Sequence, residues 1–261
     1  MQDSNRIDAF IEQLNFTYGP EDLLARFFFK AVNAAADRGV YLEIGTFSDL
    51  LEANKANSDS WMPLTTTFQE ELGGVTDDTG LVFLGRNAAG EIVATQAARI
   101  FKWNRTTFKE EAESLRFFYS KPDRDKGPNE SCVVTAPEAA QIRGRVALGG
   151  AIWYRPDFRR LQLGEIIPRM ARAYAFTLWN YDCHIATITQ ANVAKAFDKR
   201  AGYRDVIPNS MVMRHSHTVP DGDLHLALAR MTPMQLIDDM VGFLVDFDVG
   251  GDLGVGQRRA Q

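Results

Sequence analysis

Apolar positions along the chain change period several times, and each change marks an element. After Gly19-Pro20-Glu21-Asp22, the residues Leu23, Leu24, Phe27, Phe28, Ala31 and Val32 recur at three- and four-residue spacing. That spacing lines one face of an α-helix. Pro20 and two acids open it and Gly39 closes it. The RFFFK run at 26–30 reads as the core-facing side of this helix rather than a membrane patch. Residues 40–46 read as a strand and 47–57 as a short helix. From Leu81 the period becomes two: LVFLGR, a NAAG turn and EIVATQAARIFKW predict a β-hairpin.

Further on, 106–119 reads as a helix with Glu110, Glu111 and Glu113 on a solvated face, and 120–131 as an exposed polar loop. Residues 145–155 predict a strand, 164–181 a helix, 184–190 a strand, and 192–201 a helix stopped by Gly202. A second hairpin is expected from 205–217 and 223–231, joined by Val219-Pro220-Asp221-Gly222-Asp223, and then a closing amphipathic helix from 232. Strands joined through one helix, as at 145–190, must run parallel with a right-handed crossover. The expected class is therefore mixed α/β (α+β). The organisation reads as a helical extension at 1–39 and a main domain at 40–231 carrying an insertion at about 104–144. A helix at 232–248 and a flexible Gly-rich tail at 249–261 complete it.

Composition narrows the function. The 261 residues are 45% apolar and 24% charged with a net charge of -5, so no basic excess exists to neutralise a nucleic acid. No apolar stretch approaches the roughly 20 residues that span a bilayer, and MQDSNRIDAF lacks a leader's basic head and apolar run. A cytoplasmic protein that binds neither membrane nor nucleic acid is expected. Cys132 and Cys183 form no paired motif. His215 and His217 would share a strand face as a metal pair does, but no third ligand stands at readable spacing, so no metal is expected. GGDLGVG at 250–256 mimics a phosphate loop, yet no strand precedes it and no helix follows.

The chemistry concentrates between 145 and 206. Gly149-Gly150 interrupts the strand and reads as a bulge or a close approach. Arg159-Arg160-Leu161-Gln162-Leu163-Gly164 then turns into a helix. Cations at a helix start oppose the macrodipole unless an anion sits there. A diphosphate would take both the first-turn N–H groups and the guanidinium groups. Asp182 and His184 stand at the next strand's start as candidate acid–base groups.

This segment resembles motif A of the GCN5-related N-acetyltransferase (GNAT) superfamily, whose phosphate loop reads Arg/Gln-x-x-Gly-x-Gly/Ala. Here Arg159, Gln162 and Gly164 occupy those places, with Gln162 where the family has its middle glycine. Tyr154-Arg155-Pro156 resembles the family's Val-x-Pro, and NVAKAFDKRAGYRDV (192–206) resembles motif B with Gly202-Tyr203. The resemblance spans roughly residues 40 to 231. It implies the GNAT acyl-CoA N-acyltransferase fold, with parallel strands 145–155 and 184–190 splayed and helices on both faces.

It also implies acetyl-CoA as cosubstrate. The main chain of Leu161, Gln162, Leu163 and Gly164 would hold the diphosphate, with Arg159 and Arg160 adding charge. Tyr154 would line the pantetheine arm and Asn192 would contact the cofactor. An N–H of Ile152 or Trp153 would polarise the thioester carbonyl. The acceptor would be an amine of a small molecule or peptide, and a homodimer is expected. The family's general-acid tyrosine, four residues before the motif B glycine, is replaced by Asp198, which leaves Asp198 and His184 as the acid–base candidates. The alternative is a non-catalytic acyl-CoA sensor of the same fold. Pro168 should kink its helix, and the extra segments should form an acceptor lid or dimer face.

Overall fold

The computed structural model describes residues 2–249, with side chains from 5 to 246. The Gly-rich tail and its GGDLGVG run lie outside the described residues. In chain order the elements are α1 (Gln2–Gln13), α2 (Glu21–Ala36), β1 (Tyr41–Gly45), α3 (Phe47–Ala56), α4 (Glu70–Gly73), β2 (Gly80–Arg86) and β3 (Ile92–Trp103). There follow α5 (Phe108–Glu113), α6 (Pro122–Asp125), β4 (Ser131–Val134), β5 (Gly144–Tyr154), α7 (Leu163–Trp179) and β6 (Cys183–Thr189). The chain then forms α8 (Gln190–Ala194), α9 (Phe197–Arg200), β7 (Asp205–Ser216), β8 (Val219–Met231) and α10 (Pro233–Val249).

The eight strands make one mixed sheet in the order β1-β2-β3-β5-β6-β8-β7-β4. Every neighbouring pair is antiparallel except β5 and β6, which run parallel. Two cores cover its faces. On one, Phe27 and Phe28 of α2, Met170 and Tyr174 of α7, and Leu236 and Met240 of α10 pack with Phe83, Ala147 and Ala186. On the other, Leu50 of α3, Phe68, Phe108, Phe117 and Tyr119 pack with Leu84, Leu148 and Ile185. The helices turn apolar faces to these layers, while β2 and β3 are buried on both faces between them.

The structure corrects several expectations. The helix expected over 106–119 ends at Glu113, because Leu115 adopts a left-handed φ of 63°. Glu111 is buried and pairs with Arg116, whereas Glu110, in a capping box with Thr107, and Glu113 are exposed as expected. The expected loop contains α6, and its last residue, Ser131, begins β4, an added edge strand paired to β7. The insertion is thus woven into sheet and core.

In the second hairpin, β8 already begins at Val219, so Val219 to Asp223 is strand, not turn. His215 sits at a register shift with φ 48°, its Nδ1 facing the Pro220 carbonyl. His217 lies in the turn, so the two do not share a strand face.

Candidate active site

β5 and β6 pair only at Val146–Cys183, Ala147–His184 and Leu148–Ile185. Beyond Leu148 they part, and the main chain of β5 facing β6 has no strand partner. On its other side β5 continues along β3, with a register shift that sets Ala151 and Ile152 together against Gln96. The bulge is therefore one residue past the glycines that were expected to make it. Ala151 carries its left-handed backbone, φ 52°. The side chains of Gln96 and Thr95 donate to the carbonyls of Gly150 (3.0 Å) and Ala151 (2.9 Å), which pins the bulge.

Gly149 and Gly150 serve close approach instead. A Cβ at Gly149 would stand 2.9 Å from the His184 ring, and one at Gly150 would stand 2.6 Å from the Phe68 ring. Rings thus press on both faces of the strand where it leaves its partner.

At the far end of β5 the chain turns into α7. Arg160 and Gln162 both take left-handed backbone, φ 67° and 58°. No side chain caps α7, so its first-turn N–H groups are free of the usual capping oxygen. Gln162 fills the family's glycine place in a glycine-like conformation, its Oε1 accepting from Arg38 at 2.8 Å. Gly164 lies against the rings of Phe197 and Tyr154, 3.5 and 3.9 Å from its Cβ position. The Tyr154 hydroxyl donates to the Leu163 carbonyl at 3.2 Å, tying the strand end to the helix start. Burial pushes that phenol's pKa up.

The arginines divide their work. Arg155 is held by Asp157 and Glu91, each at 2.8 Å. Arg159 donates to the carbonyls of Tyr154 (3.1 Å) and Ser60 (3.0 Å), so it shapes the turn. Arg160 is exposed and makes no hydrogen bond or ion pair among the described residues. Arg38, at the end of α2, joins this corner through Gln162. Nothing in its sequence spacing indicates that.

The motif B helix is broken. Ala196, with φ 55°, separates α8 from α9. Asn192 lies exposed in α8, which Thr189 caps. Asp198 is buried, with an Oδ1 that has no partner, while its carbonyl accepts from Tyr203. His184 is buried on the α7 face, its Nδ1 3.2 Å from the Tyr203 hydroxyl. Burial, with Arg172 nearby, holds its pKa well below the usual histidine range, so the ring stays neutral. Asp182 sits at the strand start, paired with Arg145 at 3.1 Å.

Where the strands part, the face opposite α7 opens into a cavity of about 90 Å³. Thr65, Thr67, Phe68, Phe117, Phe118 and Thr187 line it, together with residues 148–151 of β5. None of these side chains titrates. Neither Asp198 nor His184 is among them. Of this wall, sequence reasoning singled out only Gly149 and Gly150; the rest comes from distant segments without a shared motif. Behind it, Trp153 stacks on Trp61 with centroids 5.2 Å apart and its indole N–H donates to Ser60.

A single parallel pair that separates after three residues, a bulge at the parting and an uncapped helix beyond it reproduce the layout that the motif resemblance implies. The chain has the strand order and the splayed parallel pair that the resemblance to the GCN5-related N-acetyltransferases implies. No protein-family model matches it, and no curated protein matches its sequence. Among solved structures, it is similar to mutant forms of the spermidine/spermine N-acetyltransferase SpeG from Vibrio cholerae. That match has 9% identity and a TM-score of 0.44, over 77% of this chain and 97% of that one. It is also similar to RimJ from Mycobacterium smegmatis in complex with CoA-disulfide, at 12% identity and a TM-score of 0.42, over 77% and 88%. At such identities and TM-scores the likeness carries no argument about this chain.

Proposed function

We propose that this chain is a GNAT-fold acyltransferase that moves an acetyl group from acetyl-CoA to an amine. The observation that carries this reading is the parting of β5 from β6 directly between the α7 turn and the cavity. A thioester arm laid along β5 would run from the turn to the opening, with its diphosphate on the first-turn N–H groups of α7 and the Arg160 guanidinium beside them. The freed main chain near Ile152 would face the thioester oxygen, where a preorganised N–H stabilises developing negative charge. Trp153 pairs with Thr95 in the ladder, which makes Ile152, in the bulge, the better candidate of the two.

The amine nitrogen attacks the carbonyl carbon, the C–S bond breaks, and the sulfur leaves as thiolate. One amine proton must be lost and one gained by sulfur. With no titrating side chain on the cavity wall, both pass through water. The amine must therefore arrive unprotonated, which for a group of ordinary pKa near 10.4 costs about 4 kcal/mol at neutral pH. Activity should rise with pH until the acceptor's own pKa.

The second reading, a non-catalytic acyl-CoA sensor, draws on the same absence of an acid or base. A thiol-release assay over amine classes separates the two. Saturable release supports the transferase, whereas tight coenzyme A binding with no release from any amine supports the sensor.

A further inference from the structure

Arg99 lies on β3, directly across from Leu148 of β5, which lines the cavity. Its Nη1 donates to the carbonyl of Thr67, another lining residue, at 2.8 Å. Its guanidinium stacks 4.7 Å above the Phe101 ring, and Phe101 in turn meets the lining residue Phe117, centroids 5.4 Å apart. The cation thus stands at the cavity's edge, held against Leu148, Thr67 and, through Phe101, Phe117 of its lining.

It nevertheless has no counter-charge. Among the described residues no carboxylate lies within ion-pair distance of Arg99, its Nε is buried without a partner, and its Nη2 makes no hydrogen bond. Burial alone acts on it, lowering its pKa to about 10. Of the buried carboxylates beside this core, Glu111 is paired with Arg116, and Glu130 is taken by the Tyr119 hydroxyl at 2.7 Å and the Gly127 N–H at 2.8 Å. A part-buried guanidinium whose Nε is sealed without a partner and whose Nη2 makes no bond is costly unless an anion completes it. A guanidinium makes strong charge-assisted bonds to a carboxylate.

We propose that the acceptor carries a carboxylate beside its amine, an α-amino acid in chemical class, and that the unbonded Nη2 of Arg99 receives that carboxylate. The lining supports this over a polycationic acceptor. It contains no Asp or Glu for a second ammonium, while Phe68, Phe117 and Phe118 offer an apolar surface to an amino-acid side chain. The inference rests on the acetyltransferase reading and adds its substrate class.

The test measures thiol release from acetyl-CoA by the full chain with the twenty α-amino acids, their C-terminal amides and spermidine, alongside calorimetric titration of coenzyme A. At least one amino acid should be used with a kcat/KM tenfold or more above that of its amide, and spermidine should be poor. Arg99→Met should erase that preference, mainly by raising KM for the acid. Arg99→Lys should keep part of it. The acid–amide comparison uses the unaltered protein, so it decides the matter even if a variant fails to fold.

Equal or better use of amides or spermidine overturns the inference while leaving the transferase reading intact. So does coenzyme A binding with no amino acid accepted. Failure of coenzyme A to bind removes the reading itself, and the inference with it.

Discussion

Gln162 holds a left-handed backbone that costs an L-residue about 1–2 kcal/mol, at the place where the family keeps glycine. Its bond to Arg38 offsets part of this. Gln162→Gly should therefore leave stability within about 1 kcal/mol and tighten coenzyme A binding several-fold by letting the diphosphate approach the main chain. Urea denaturation and calorimetry read both; weaker binding would mean that the side chain, not the backbone, holds the ligand. His184 gives a pH signature. Its pKa is depressed in the fold, so the unfolded chain binds the extra proton. Its stabilising contribution is complete above the ordinary value near 6.5 and falls away as pH drops below it. Between pH 7.5 and 5.5, the native sequence should lose more unfolding free energy than His184→Asn, by on the order of 1 kcal/mol. Parallel curves would place the titration elsewhere.

At the scale of elements, α10 is fastened to α7 by one carboxylate. Asp239 binds Arg169 at 3.0 Å and Arg172 at 3.1 Å. A Cβ at Gly202 would stand 2.3 Å from that carboxylate's Oδ1, so the motif B glycine clears a path for the ion pair as well as ending a helix. Removing one partner of a buried pair costs about 3–5 kcal/mol, and Asp239→Asn should fall in that range by denaturant titration. A loss below 1 kcal/mol would contradict it. Gly150→Ala would press on Phe68 and into the cavity, at a cost of about 1–3 kcal/mol. It should slow thiol release while sparing coenzyme A affinity.

Elements with a clean period were legible in the sequence. The β2–β3 hairpin, β5, α7 and β6 all fall within a few residues of expectation, because each is a continuous run of largely buried or half-buried residues bounded by turn signals. Tertiary contacts decided what was not legible. β4 is four residues of strand formed by pairing to β7, and the bulge moved to Ala151 because Thr95 and Gln96 capture the carbonyls there. The turn at Arg159 was readable, but the division of labour between Arg159 and Arg160 was not, since it depends on Ser60 lying 99 residues earlier.

For the whole molecule, the sheet separates two candidate sites. The α7 face holds the uncapped turn and the neutral His184–Tyr203 pair, and the opposite face holds an uncharged cavity with Arg99 at its edge. With no protein base on that wall, kcat/KM should climb tenfold per pH unit up to the acceptor's own pKa, with no break between pH 6 and 8. A bell-shaped profile centred near neutrality would reveal a catalytic group outside the cavity described. The central claim is that the α7 turn grips a diphosphate. Its most direct measurement is calorimetric titration of coenzyme A into the native chain and into Arg160→Ala, which removes a cation without a structural partner. The account predicts one site per chain, with affinity reduced about tenfold in the variant and unfolding unchanged. Equal affinity in the two proteins, or no binding to either, would contradict it.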